Sequence, residues 1–191
     1  MHPRAVLAAV VIAATAFNAC GSDDDATSSL IETTATSATP TDAPDDPTDP
    51  LSAEVICERL TVASVKADTG LDIVRAVPDD SATPQCAYEY TTDTGGVSDL
   101  TVASMRAEDV GGLTGRDAFD FVVGINETIA GDGAETQEVS AGDAAIRISG
   151  ASLHVGVVQV GDRVITVITP VNDIGSDAAD SLVATIATAL G

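Results

Sequence analysis

Histidine, cysteine and closely spaced carboxylates would carry acid–base, nucleophilic or metal chemistry, and the chain is uneven in them: 2 His, 3 Cys and 30 Asp+Glu among 191 residues. A Ser/His/Asp relay would have to use His154, because His2 sits in an N-terminal segment read below as removable. His154 is opposite in phase to Leu153 and Val155, so a solvent-facing or inter-layer imidazole is expected in place of a general base. Asp79-Asp80 reads as a solvated turn. Asp132 and Glu135 flank Gly133 but lack the Asp-x-Asp-x-Asp-Gly ladder of a calcium loop. Gly111-Gly112-Leu113-Thr114-Gly115 precedes a helix without the Lys-Ser/Thr ending of a phosphate loop. Asn126-Glu127-Thr128 matches a glycosylation sequon that falls by chance on a helix. No catalytic residue, metal or cofactor is expected.

The three cysteines divide by position. Cys20 follows a run from Ala5 to Phe17 without a charge, itself preceded by Arg4. That is the order of a signal segment, and the run is too short for the roughly 20 apolar residues of a membrane span. Phe17-Asn18-Ala19-Cys20 resembles the lipobox of a bacterial lipoprotein precursor, in which the cysteine becomes the diacylated N-terminus. Residues 1–19 are then the signal peptide, and Cys20 is the site of lipidation and of membrane attachment. Two acyl chains, at about 0.8 kcal/mol per buried methylene, hold a protein at a membrane without a span. The alternative is plain secretion with Cys20 left as a thiol.

From Gly21 to Pro50 the chain is rich in Ser, Thr, Ala, Asp and Pro, with eight acidic residues and no basic one. Too little apolar surface is present to offset ordering entropy, so residues 20–50 read as a disordered tether, bare or O-glycosylated. The remaining 51–191 carry 22 acidic and 7 basic side chains and are long enough for one globular domain. The whole chain has a net charge of −22, which repels phosphate backbones and anionic head groups, so nucleic acid is excluded as a partner.

Outside the cytosol the two cysteines of this domain, Cys57 and Cys86, are expected to oxidise to a disulfide. The spacing is not the Cys-x-x-Cys of a redox pair, and two cysteines with one distant His do not make a zinc site.

The elements that must position these residues alternate between two periods. Ser52 and Thr61 open short helices, the first through Leu60 and the second over 62–68 and ended by Gly70. A strand follows over 71–77; Cys86, Tyr88 and Tyr90 then share one face of a second, and 100–105 forms a third. Ala118, Val122, Ile125 and Ile129 make the sheet-facing stripe of a helix over 116–130, with Gly124 in close contact with a neighbour. Residues 136–139, 144–149, 153–160 and 163–169 read as strands joined by hairpins, with 164–168 an inner strand covered on both faces. Ser176 or Asp177 caps a final helix with Ala179, Leu182, Val183, Ile186 and Leu190 on its apolar face. The expected fold class is α+β, a mostly antiparallel sheet with helices packed on both faces (an α/β/α sandwich) and one disulfide.

With Cys57-Glu58-Arg59-Leu60-Thr61 and Pro84-Gln85-Cys86-Ala87-Tyr88 in view, the chain resembles an actinobacterial family of cell-envelope lipoproteins of unknown function. That family is similar in fold to the sandwich of the photosystem-associated PsbP proteins and the nuclear-transport factor Mog, and to mycobacterial lipoproteins of that shape. The resemblance implies a disulfide between Cys57 and Cys86 and brings no catalytic residues. The functional expectation is a lipid-anchored protein on the extracytoplasmic face of the cell membrane, with a non-catalytic domain that binds an envelope protein or an apolar ligand. Leu113, Phe119 and Phe121 read either as core or as the lining of a ligand groove. The alternatives are a cell-wall polymer hydrolase or transferase using paired carboxylates, which lacks sugar-stacking Trp, and an accessory or assembly factor of a membrane complex.

Overall fold

In the computed structural model, residues 51–191 are described, and the signal segment, Cys20 and the tether lie outside them. Ser52 accepts the Val55 N–H and starts α1, Ala53–Arg59; Thr61 accepts the Ser64 N–H and starts α2, Val62–Thr69. Gly70, at φ 71°, closes α2 in the left-handed conformation that glycine adopts without a Cβ clash. Three strands follow: β1, Asp72–Asp79; β2, Gln85–Thr91; β3, Val97–Arg106. A 3-10 turn at Ala107–Asp109 leads to α3, Gly115–Ala130. Then come β4, Glu135–Glu138; β5, Ala144–Ser149; β6, Leu153–Val160; β7, Arg163–Pro170; and α4, Ser176–Leu190.

The fold is α+β. Among the described residues the strands form one seven-stranded sheet in the order β1-β2-β3-β7-β6-β5-β4, with every neighbouring pair antiparallel. Two meanders, β1 to β3 and β4 to β7, therefore meet at the β3–β7 seam. Both outer strands are blunted: β4 has four exposed polar residues, and β1 carries Pro78 and an irregularity between Ile73 and Arg75.

Period-2 alternation sends side chains to two separate cores. On one face, Cys86, Tyr88, Tyr90, Leu100, Val102, Ile165 and Val167 pack with Ile56, Leu60 and Val65 of α1 and α2 and with Leu182, Val183, Ile186 and Leu190 of α4. On the other, Ile148, Val155, Val157 and Val164 pack under Phe119 and Val122 of α3. Each fully buried Leu, Ile, Val or Phe contributes about 1.5–3 kcal/mol by leaving water. The Cys57–Cys86 disulfide joins α1 to β2, with Cα atoms 5.4 Å apart.

Several local expectations are corrected. Ala118 and Val122 are buried, but Ile125 and Ile129 are 36 % and 60 % exposed, because α3 meets the sheet along Ala118, Phe119, Val122, Val123 and Asn126. Gly124 falls on the outer side of that helix, where an added Cβ would meet nothing within 4 Å. Gly175, not Ser176 or Asp177, occupies the N-cap position of α4. The inner strand is β7, yet its Ile168 is 44 % exposed, because α3 covers the Val164 end of that strand and leaves Ile168 open.

Candidate functional site

His154 lies between the layers. The β5–β6 pairing sets it opposite Ser149 on the face covered by α4, and it is 4 % exposed. Its Nδ1 is 2.9 Å from Ser149 Oγ, within hydrogen-bond distance, and the Ile174 backbone lies beside the ring. Ser149 Oγ also accepts from the Arg147 guanidinium, and Arg147 Nε donates to Asp180 Oδ1 of α4 at 2.6 Å. Burial holds the imidazole below its ordinary pKa, and positive Arg147 pushes the same way against the Ile174 carbonyl and Asp180. The neighbouring Thr169, across from His154 on β7, has a buried hydroxyl with no partner. Asp180 turns to Arg147 and not to the imidazole, so Ser149, His154 and Asp180 do not line up as a relay. The arrangement ties β5 and β6 to α4 and to the loop before it.

The turn acids have structural partners. Asp79 accepts from the Ser81 N–H at 2.8 Å and from Gln85 Nε2 at 3.0 Å, and these bonds hold its carboxyl below the usual range. Asp80 Oδ1 accepts the Ala53 N–H at the start of α1 at 2.9 Å, a cap supplied from 27 residues away that sequence spacing cannot signal. Asn126 is buried and donates to the Val122 carbonyl, which keeps it from a glycan. Leu113 packs partly buried, and Phe119 fully buried, in the α3 core; Phe121 is half exposed. Asp132 and Glu135 are exposed, and among the described residues no group of three or more His, Cys, Asp or Glu could hold a metal ion. Nor is any helix among them long and apolar enough to cross a membrane.

Over one half of the sheet, on the side of α3, no described element packs. On the face that carries α3, register aligns Val77, Ala87, Thr101 and Ile168 in one row and Asp79, Gln85, Ala103 and Thr166 in the next. Arg75, Glu89 and Asp99 form a third, with Arg75 Nε and Nη2 on the two Glu89 oxygens at 2.7 and 2.8 Å. A shallow depression of about 360 Å³ opens here, between Val77, Ala87, Val97 and Thr101. The orientation of α3 follows from its contacts. Arg116 and Phe119 border a second depression with Ala144, Ala145 and Ile146 of β5, and Glu127 accepts from Thr136 of β4 at 3.1 Å. The opposite flank of the helix, toward β7, carries Phe121, Ile125 and Ile129, spaced one turn apart. These three and Ile168 are all exposed, so an apolar ridge stands beside a floor of small and charged residues that no other element among the described residues covers. Sequence periodicity had assigned Ile125 and Ile129 to the core, and nothing in it separates a covered from an uncovered half of one sheet.

Compared with protein-family models, with curated proteins and with solved structures, the chain gives no match.

Proposed function

We propose that this protein is a lipid-anchored component of a bacterial cell envelope whose globular domain binds another molecule and does not transform it. The anchor reading is supported by the Phe17-Asn18-Ala19-Cys20 motif behind an uncharged run, by the acidic tether, and by the resemblance to actinobacterial envelope lipoproteins. The Cys57–Cys86 disulfide is in keeping with an oxidising compartment. One observation carries the binding reading: Val77 of β1, Ala87 of β2 and Thr101 and Ala103 of β3 have no covering layer among the described residues and lie next to an exposed ridge of Phe121, Ile125 and Ile129. Clustered exposed apolar side chains, here Phe121, Ile125, Ile129 and Ile168, mark an interaction site.

Two measurements test the proposal. Metabolic labelling with a radiolabelled fatty acid should mark the wild type and spare Cys20→Ser; equal labelling of both removes the anchor. A photocrosslinking side chain placed at Thr101 in intact cells should give one adduct of defined mass that the same probe at Asp132 does not. Identical adducts from both positions, or none from Thr101, remove the binding face.

A further inference from the structure

We infer that the uncovered half of the sheet is a seat for one amphipathic α-helix of a partner protein, with lysine or arginine flanking its apolar stripe. This rests on the binding reading above and names the occupant.

Space comes first. Neighbouring strands lie about 4.8 Å apart, so β1 to β3 present a floor about 10 Å wide, close to the diameter of a helix. Between the longer Gln85 and Glu89, Ala87 of β2 and Thr101 and Ala103 of β3 are small, as is Thr166 on the adjoining β7, which lets a helix approach the sheet as α3 does over β5 to β7. Phe121, Ile125 and Ile129 recur every fourth residue along the adjoining flank of α3, and such a row is what a second helix packs against. α3 has 16 residues, about 24 Å, so an occupant of roughly 15 residues would match it. An extended peptide would instead seek a sheet edge, and β1 and β4 are both blunted.

Charge selects the occupant. Asp79, Glu89 and Asp99 lie on this floor with Arg75 as its basic residue, and Arg75 is already bonded to Glu89. Asp79 and Glu89 are held below the usual carboxylate range, the first by the Ser81 N–H and the second by Arg75, so both stay charged. A second copy of the chain, the acidic segment 20–50 and an anionic lipid surface would each bring like charge to like. A basic helix brings the opposite charge and gains association rate from the chain's net −22.

The test uses the full chain with Cys20→Ser, oxidised, and a synthetic Leu/Lys peptide of about 15 residues patterned for one apolar helical face. Its controls are a Leu/Glu peptide of the same pattern and a scrambled Leu/Lys peptide. The patterned Leu/Lys peptide should bind, become helical by circular dichroism, and shift the amide resonances of Ala87, Thr101, Ala103 and Ile168. Ala103→Arg, which fills the floor, and Phe121→Ser, which removes part of the ridge, should each weaken it by about tenfold or more. Val74→Ser, at an exposed residue in the β1 irregularity, should leave it unchanged. Thermal melts verify that each variant folds. Equal binding of the scrambled peptide, stronger binding of the Leu/Glu peptide, resonance shifts centred on α4, or affinity insensitive to both variants overturns the helix seat. So does a dimer in sedimentation that Phe121→Ser dissociates, which would make the occupant a second copy. A Thr101 crosslink in cells with no peptide binding keeps the binding reading and removes the helix; absence of both removes the two together.

Discussion

Gly156 of β6 lies so close beneath Val183 of α4 that a methyl group on its Cα would overlap the valine Cγ2 and stand 2.7 Å from Cγ1 of Val167. Both neighbours are β-branched and packed, so neither can swing aside. Gly156→Ala should cost about 1–3 kcal/mol in urea unfolding through overpacking. Combining it with Val183→Ala should give a variant more stable than the sum of the two single losses implies, because the second change vacates the volume the first demands. Strict additivity would show that α4 does not set the spacing.

The disulfide closes a loop with a sequence separation of 29. Replacing both Cys57 and Cys86 by Ser should lower the unfolding free energy by about 3–4 kcal/mol through the unfolded chain. The same loss on adding reductant to the wild type, and none on adding it to the double variant, is the expected calorimetric result.

Tyr88 and Tyr90 are the only tyrosines of a chain without Trp, and both are fully buried. Tyr88 donates to the Leu60 carbonyl at 2.5 Å and Tyr90 to Asp173 Oδ2 at 2.7 Å. Burial pushes both phenols up, Tyr90 to about 12. A pKa raised in the fold contributes stability that is full below the unfolded value of 10.0 and is lost as pH rises through the folded value. Alkaline titration should therefore produce tyrosinate absorbance together with loss of helical circular dichroism, whereas in denaturant both phenols should ionise near 10. Native protein that ionises either tyrosine before it unfolds would contradict this burial.

His154 works in the other direction. The fold favours its neutral ring, so the unfolded chain takes up the proton first, from the ordinary value of 6.5 downward. Stability should be level above that value and fall as pH drops below it. His154→Gln should flatten that slope. The window is separate from that of Asp79 and Glu89, whose depressed values release their contributions only below the ordinary 3.8 and 4.5.

Two residues of α3 should respond oppositely to truncation. Phe119→Ala removes a fully buried ring and should cost about 3–5 kcal/mol, while Ile129→Ser, at an exposed position, should stay within about 0.5 kcal/mol. Equal losses in denaturation would mean that Ile129 is covered in solution.

Where the sequence was legible, one element sufficed to read it. Cys86, Tyr88 and Tyr90 alternate with Gln85, Ala87 and Glu89, and a strand buried on one side has no other pattern. Ser52, Thr61 and Gly70 act on backbone groups within a turn of themselves, so their capping roles were readable too. What stayed hidden depends on partners far along the chain. The β3–β7 seam joins strands separated by α3 and three other strands, and Arg147 meets Asp180 across 33 residues. Strand phase placed His154 off the Leu153 face but could not say that α4 and Ile174 would enclose it. The candidate binding face was the least legible part. Its floor, Ala87, Thr101 and Ala103, has the alternation of any half-buried strand, and its uncovered state arises from a helix packed elsewhere on the same sheet.

The polar β4 and the interrupted, proline-bearing β1 have one more effect. With neither rim of the sheet able to recruit an incoming strand, molecules crowded together cannot extend one another into a continuous cross-β ribbon. Dense packing of many copies is then compatible with each remaining a discrete unit.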